Sequence, residues 1–313
     1  MRAVWWLPAI LALSAGCVGR GTYMVVNVPL LDVRAQPHTT AAAPGVHDPD
    51  QETQLLYGEI VKVTATQEDW AQVQAVEQPE FSHHQRWQGY PGWVPAEVLI
   101  PWGAVWMPNV IVTEKWAPTF LDAFSRRPAR WRFPLGTRLR ADEMGGVLWR
   151  VELVDGAIVW MPREAAAPLQ ALVTAPPMDK RRYIVRNAEL FLGEPYVWGG
   201  RSPQGVDCSG LINLAYRAAG VDIPRDAHEQ FLRAKRILAL QAADLIFLSA
   251  REEPDRIVHV MLYAGNGEVI EGPGTGKHVR RIALRQRLGR PLEALEPGAV
   301  VDGQTVSFGT YLP

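Results

Sequence analysis

The stretch from Pro195 to Leu211, Pro-Tyr-Val-Trp-Gly-Gly-Arg-Ser-Pro-Gln-Gly-Val-Asp-Cys-Ser-Gly-Leu, constrains this chain more than any other. A loop carrying Gly199, Gly200 and Gly205 empties into an apolar-periodic run, Leu211 to Ala219. Leu211, Leu214, Ala215 and Ala218 share one helical face, and Gly220 supplies a stop. The pattern predicts a helix over 208–219 with Cys208 in its first turn. Free backbone N–H groups and the positive end of the helix dipole favour a thiolate there, the form of cysteine that attacks carbonyls. A lone cysteine is more often a buried structural thiol. The rest of the chain has to decide.

A length of 313 residues gives room for two to three domains, and a formal net charge of −1 with interspersed signs excludes a dedicated nucleic-acid partner. Most of the 12 tryptophans precede residue 165, so the two halves are built differently. Cys17 and Cys208 are the only cysteines. Met1-Arg2, the apolar run Ala3–Leu13 and Ser14-Ala15-Gly16 read as an export signal. The segment Leu13 to Cys17 resembles a bacterial lipoprotein signal, although Ser14 stands where an aliphatic residue is usual. The resemblance implies a signal over 1–16, lipidation of Cys17 and an exported protein held to the membrane of the cell envelope. A plain secretory signal is the other reading.

From Gly21 to Ile100 short strand-like runs alternate with turn residues, predicting a small β-barrel over 21–102. The rhythm Leu55-Leu56-Tyr57-Gly58-Glu59, Asp69-Trp70, Gly92-Trp93-Val94-Pro95 resembles bacterial SH3 domains. Glu77–Gly89 reads as an inserted hairpin loop; its His83 and His84 lack a partner at ligand spacing, so no metal is expected. Phe133 to Leu139, Trp149 to Leu153 and Gly156 to Pro162 repeat the pattern, predicting a second such barrel over 108–168. An Ala- and Pro-rich linker follows, 169–178. Beyond Met178 helices at 179–192, 208–219 and 227–234 precede strands near 244–248, 257–264, 268–271 and 281–284. A helix bearing the nucleophile ahead of an antiparallel sheet bearing a histidine is a papain-like α+β order over 179–313.

Pro195-Tyr-Val-Trp-Gly-Gly, Asp207-Cys-Ser-Gly-Leu, Ile223-Pro-Arg, Asp244-Leu-Ile-Phe and His259-Val-Met-Leu-Tyr-Ala-Gly-Asn-Gly resemble the NlpC family of cell-wall cysteine peptidases. The resemblance implies Cys208 as nucleophile, His259 as base and Tyr196 beside them, with no cofactor. It also implies cleavage of γ-D-glutamyl-diamino acid bonds in peptidoglycan stem peptides. Members with preceding SH3 domains often require a free N-terminal L-alanine. In them the equivalents of Asp207 and Ser209 bind the alanine end, joined by a tyrosine of the first SH3 domain, for which Tyr90 is the candidate. Asp50 or Glu52 would supply a second acid.

The third triad position departs from the family, which has His, Asn or Gln where this chain has Glu271. A two-residue Asn266-Gly267 turn pairs Glu271 with Leu262, facing away from His259. A three-residue loop with Gly267 as a bulge pairs it with Met261, on His259's face. The resemblance favours the second, and His278 is the fallback. Two other classes stay open: a catalytically silent wall-binding protein, and an amidase or acyltransferase on the same scaffold.

Overall fold

Alternating burial marks the early strands. Along Trp70–Glu80, Ala71, Val73 and Ala75 are buried while Gln72 and Gln74 are only partly covered, the two-residue period of a sheet with one face on a core. The computed structural model describes residues 22–39, 46–103 and 106–313; the leader and Cys17 lie outside them. Between Thr22 and Pro101 seven strands form one sheet, and between Val110 and Pro168 seven more form another. With strands counted from the start of each unit, both sheets run in the order 3-2-6-5-4-1-7. The repeat in sequence is thus a repeat of topology. Trp70–Glu80 and Gln88–Pro95 pair as far as Glu80 and Gln88, so the insertion is shorter than the predicted 77–89 loop.

The third unit has mixed α and β content. Its main sheet runs Lys235–Arg236, Gln304–Thr310, Leu245–Ser249, Ile257–Gly265, Glu268–Glu271, Arg280–Ala283. The helices Cys208–Arg217 and Ala227–Arg233 pack on the Ile257–Gly265 strand, and Leu211, Leu214 and Ala215 share a core with Phe247, Val260 and Leu262. The linker expectation needs correction. Leu169–Val173 is a short helix, held because Gly220 brings its backbone against Leu172 and Val173, where a Cβ would come within 2.9 Å of the Val173 nitrogen.

Every residue of Cys208–Arg217 is buried, although its sequence has one apolar face. The polar side faces the two β-rich units. Glu59, 1% exposed, pairs with Arg201 at 2.8 Å and Arg217 at 3.4 Å. Arg217 continues to Glu77 at 2.8 Å and donates to the Gly136 carbonyl at 2.9 Å. Leu56 and Leu135, one from each β-rich unit, enter the core around the helix, and the Tyr57 hydroxyl accepts from the Val154 N–H at 2.6 Å. Removing one partner from such a network leaves its neighbours charged and buried. Glu59→Ala is therefore expected to cost about 3–5 kcal/mol, read as a lower urea midpoint. An unchanged midpoint would show that the three units hold together without it.

Candidate active site

Asp207 caps the helix that begins at Cys208. Its Oδ1 accepts from the Gly210 N–H at 2.6 Å and from the Ser209 hydroxyl at 3.1 Å. The fully buried Arg225 forks onto both Asp207 oxygens at 3.0 and 2.6 Å and also donates to Ser209 Oγ at 3.0 Å. The Gly-rich loop lies so close that a Cβ on Gly210 would sit 2.1 Å from the Gly200 carbonyl oxygen. Cys208 is thereby held at the helix start, 8% exposed. Asp207 and Ser209, expected to bind substrate, are already engaged with each other and with Arg225.

His259 lies on the Ile257–Gly265 strand, and its Nε2 meets Glu271 Oε2 at 2.7 Å. That leaves Nδ1 as the ring nitrogen without a carboxylate partner, and Cys208 is the other group that raises the His259 pKa. Neither predicted turn describes how Glu271 gets there. Gly265 pairs with Glu268 around a two-residue Asn266-Gly267 turn, both with positive φ. A register shift between Tyr263 and Gly265, with Gly265 at φ 90°, inserts the extra residue one step earlier. Leu262 then pairs with Ile270, which sets Glu271 opposite Met261 and on the face of His259. The bulge restores what the short turn alone would have lost. His278 is exposed and bridges Pro195.

Glu271 has no exposed surface. Arg280 donates to its Oε1 at 3.0 and 2.7 Å, and Arg287 Nε reaches Oε1 at 3.0 Å and Oε2 at 2.9 Å. Burial works against the carboxylate's charge, but His259 and Arg287 outweigh it and hold the pKa at about 2. Burial likewise opposes a charged His259, yet hydrogen bonds to Cys208 and Glu271 push its pKa up to about 9. An imidazolium beside the sulfur at neutral pH is the partner a thiolate needs, and a proton source for a departing amine. Tyr196 is buried beside this pair; burial, then the charges of Cys208 and Asp207, raise its pKa, so its phenol keeps its proton.

A second cluster adjoins Asp207 through Arg225. The Tyr90 hydroxyl meets Asp226 Oδ2 at 3.0 Å and Glu52 Oε2 at 3.3 Å. Tyr90 and Glu52 belong to the first β-rich unit, Asp226 to the third, and Arg225 joins them by donating to Thr53 Oγ1 at 2.9 Å. Asp50 instead pairs with His38 at 3.2 Å. His83 lies between Glu80 at 3.0 Å and Glu52 at 3.4 Å, and those two carboxylates, Glu52 foremost, raise its pKa to about 10. No group of His, Cys, Asp and Glu among the described residues could hold a metal ion. Sequence reasoning passed over Arg225, Asp226, Arg280 and Arg287. The Ile223-Pro-Arg motif pointed at the first two; no local signal marks the others.

Residues 193–290 match the NlpC/P60 family. A γ-D-glutamyl-L-lysine dipeptidyl-peptidase of Bacillus subtilis is 31% identical over 76% of this chain and 77% of its own length. The chain belongs to the NlpC/P60 family. A peptidase of the same name from Bacillus cereus is 29% identical over 74% of this chain and 70% of its own. The crystal structure of an NlpC/P60 family protein from Bacillus cereus superposes with a TM-score of 0.76, covering 93% of this chain and 100% of that one. At 24% identity this last likeness speaks for the NlpC/P60 fold.

The charges around Glu271 predict opposite shifts. Glu271→Gln removes the anion that favours the imidazolium, so the His259 pKa should fall from about 9 and the alkaline limb of kcat/KM should move to lower pH. Arg287→Gln removes a cation from the same neighbourhood and should move both the other way. Ring-proton NMR titration measures the pKa directly. Shifts of one sign in both variants, or none, would show that Glu271 and Arg287 do not set the charge on His259.

Proposed function

We propose that this protein is a cysteine endopeptidase that hydrolyses the γ-D-glutamyl-L-diamino acid bond of peptidoglycan stem peptides carrying a free N-terminal L-alanine. The observation that carries this reading is the Tyr90 hydroxyl bridging Glu52 and Asp226 across two units. These acids are linked through Arg225 to Asp207, the residue before Cys208, and an acidic group so tied to the nucleophile suits a short peptide that ends in an ammonium. The printed names of the two Bacillus relatives support the same bond and the same dipeptide-releasing action.

The Cys208 thiolate attacks the γ-carbonyl of D-glutamate, and His259 protonates the amine of the departing diamino acid as the C–N bond breaks. A thioester between Cys208 and the L-Ala-γ-D-Glu fragment remains. His259 then takes a proton from water, the resulting hydroxide attacks the thioester, and the thiolate leaves. Tyr196, still protonated, is placed to donate to the oxyanion, while Glu271 orients His259 and stabilises its charge. Asp207 serves as the helix cap under Arg225, and Ser209 as its hydrogen-bond partner. The substrate's ammonium goes to Asp226, Glu52 and Tyr90.

The two β-rich units are read as SH3-like barrels over 21–102 and 108–168, the first helping to wall the pocket. The peptidase unit spans 179–313. Lipidation of Cys17 after removal of residues 1–16 would hold the enzyme in the cell envelope, where wall peptides are its substrate.

Burial foremost raises the Asp226 pKa to about 7, Arg225 opposing and Asp207 adding to it. Below that pH the acid turns neutral and loses its attraction for an ammonium. KM for L-Ala-γ-D-Glu-diaminopimelate should therefore rise as pH falls through about 7, and Asp226→Asn should abolish that rise. Acetylating the alanine amine should lower kcat/KM by about tenfold or more, since the partly exposed acids lose the cation they would pair with. Cys208→Ser should be inactive on both peptides. Equal cleavage of free and acetylated peptides would sink the closed pocket, and an active Cys208→Ser would sink the mechanism.

A further inference from the structure

The middle unit, Val110 to Pro168, supplies none of the side chains at the site. It braces the catalytic helix on one side, through Leu135 and the Gly136 carbonyl. It also carries a hairpin, Trp116–Phe120 with Pro128–Pro134, whose tip is built to present rather than to pack. The Leu121 N–H donates to the Arg127 carbonyl at 2.8 Å and closes the loop. Inside it, Asp122 Oδ1 accepts from the Phe124 N–H at 3.0 Å and the Ser125 N–H at 2.7 Å, and Oδ2 takes the Ser125 hydroxyl. The acid of the loop is thus occupied by the loop's own donors. The turn it fixes leaves Phe124 97% exposed at the apex, with Leu121 at 48% beside it.

Four arginines follow within seven residues: Arg126, Arg127, Arg130 and Arg132, all exposed. Among the described residues none of them makes an ion pair with a carboxylate, in a chain whose formal net charge is −1. Arg130 and Arg132 are exposed on one strand, at a shift in its register between Pro128 and Arg132. The first spreads over the Trp131 ring at 4.0 Å and the second lies 5.6 Å from the Trp116 ring. Stacked guanidiniums of this kind lose little hydration when they meet an anion.

We propose that this hairpin tip docks on an anionic phospholipid surface, Phe124 and Leu121 entering the headgroup boundary and the four arginines meeting lipid phosphates. The combination of an apolar apex and flanking cations is what an interface with charge outside and hydrocarbon beneath would select. A glycan strand is a poorer fit, because the apex presents Phe124 and Leu121 while the loop's Asp122 is taken up by its own donors, leaving little at the apex for sugar hydroxyls. Such docking would hold the middle unit against the membrane and leave the pocket, built by the first and third units, free to take soluble peptides.

The test uses the mature chain from residue 18, so that neither the apolar run Ala3–Leu13 nor an acyl chain on Cys17 can hold it, sedimented with vesicles of phosphatidylcholine alone or mixed with phosphatidylglycerol. Binding is expected only with the anionic lipid and should weaken with added salt. Phe124→Ser should reduce it by about tenfold or more, and Arg126→Gln with Arg127→Gln by roughly twentyfold, about fivefold for each charge. Hydrolysis of a soluble tripeptide and the thermal midpoint should not change in either variant. Lack of binding to anionic vesicles, or binding that ignores both changes, would overturn the proposal. So would a loss, in these variants, of binding to purified wall sacculi while vesicles never bind; the anionic partner would then be a wall polymer.

Discussion

Arg225 is buried completely and joins three segments that are far apart in sequence. It donates to Thr53 of the first β-rich unit, to both oxygens of Asp207 and to Ser209, and it lies 3.4 Å from Asp226. A guanidinium without exposed surface is tolerable only when carboxylates and hydroxyls surround it in its own plane. Satisfying it therefore sets several things together: the cap of the helix that begins at Cys208, the position of Asp226 beside Tyr90 and the seating of the first unit on the third. Asp207, one residue before Cys208, acts through this fork on the frame of the site more than on a ligand.

A carboxylate in the third triad position changes the electrostatics of the pair it serves. A neutral amide or imidazole orients a histidine without adding charge, whereas Glu271 adds a full negative charge in a buried place. Alone, that charge would be costly to bury. Arg280 and Arg287 offset it from the outer side, and the Arg287 Nε sits astride both oxygens. The result keeps one oxygen aimed at His259 and tempers the pull on its proton. Substituting glutamate for the usual residue thus comes with its own pair of counter-ions, supplied by a strand residue and a residue of the short helix Leu284–Leu288.

Much of the site could be read from local sequence because its parts are short-range. The Gly-rich loop, the capping aspartate and the cysteine lie within a few residues of one another, and cap geometry is decided over about one turn. His259 on a strand followed by a hairpin was equally legible. The face of Glu271 was harder, since two devices in the hairpin combine: a two-residue turn and a bulge at Gly265, whose effects on register cancel. Asn-Gly announces the turn, but nothing local announces the bulge.

What the sequence by itself determined is therefore the order of the units, the repeat of the β-rich topology, the family and the candidate residues Cys208, His259 and Tyr196. Each is written in periodicity or in motifs a few residues long. Only the tertiary structure decided that Glu52 and not Asp50 joins Tyr90, that Asp226 meets the same hydroxyl, and that Arg225, Arg280 and Arg287 hold the acids in place. It also showed the helix Cys208–Arg217 buried on every side, because Glu59, Glu77 and the Gly136 carbonyl receive its Arg217. Arg280 meets Glu271 across 9 positions of chain and Arg225 meets the Thr53 hydroxyl across 172, and a buried charge accepts whichever partner packing brings to it. Such pairings have no period and no fixed spacing, so they exist only once the units have closed on one another.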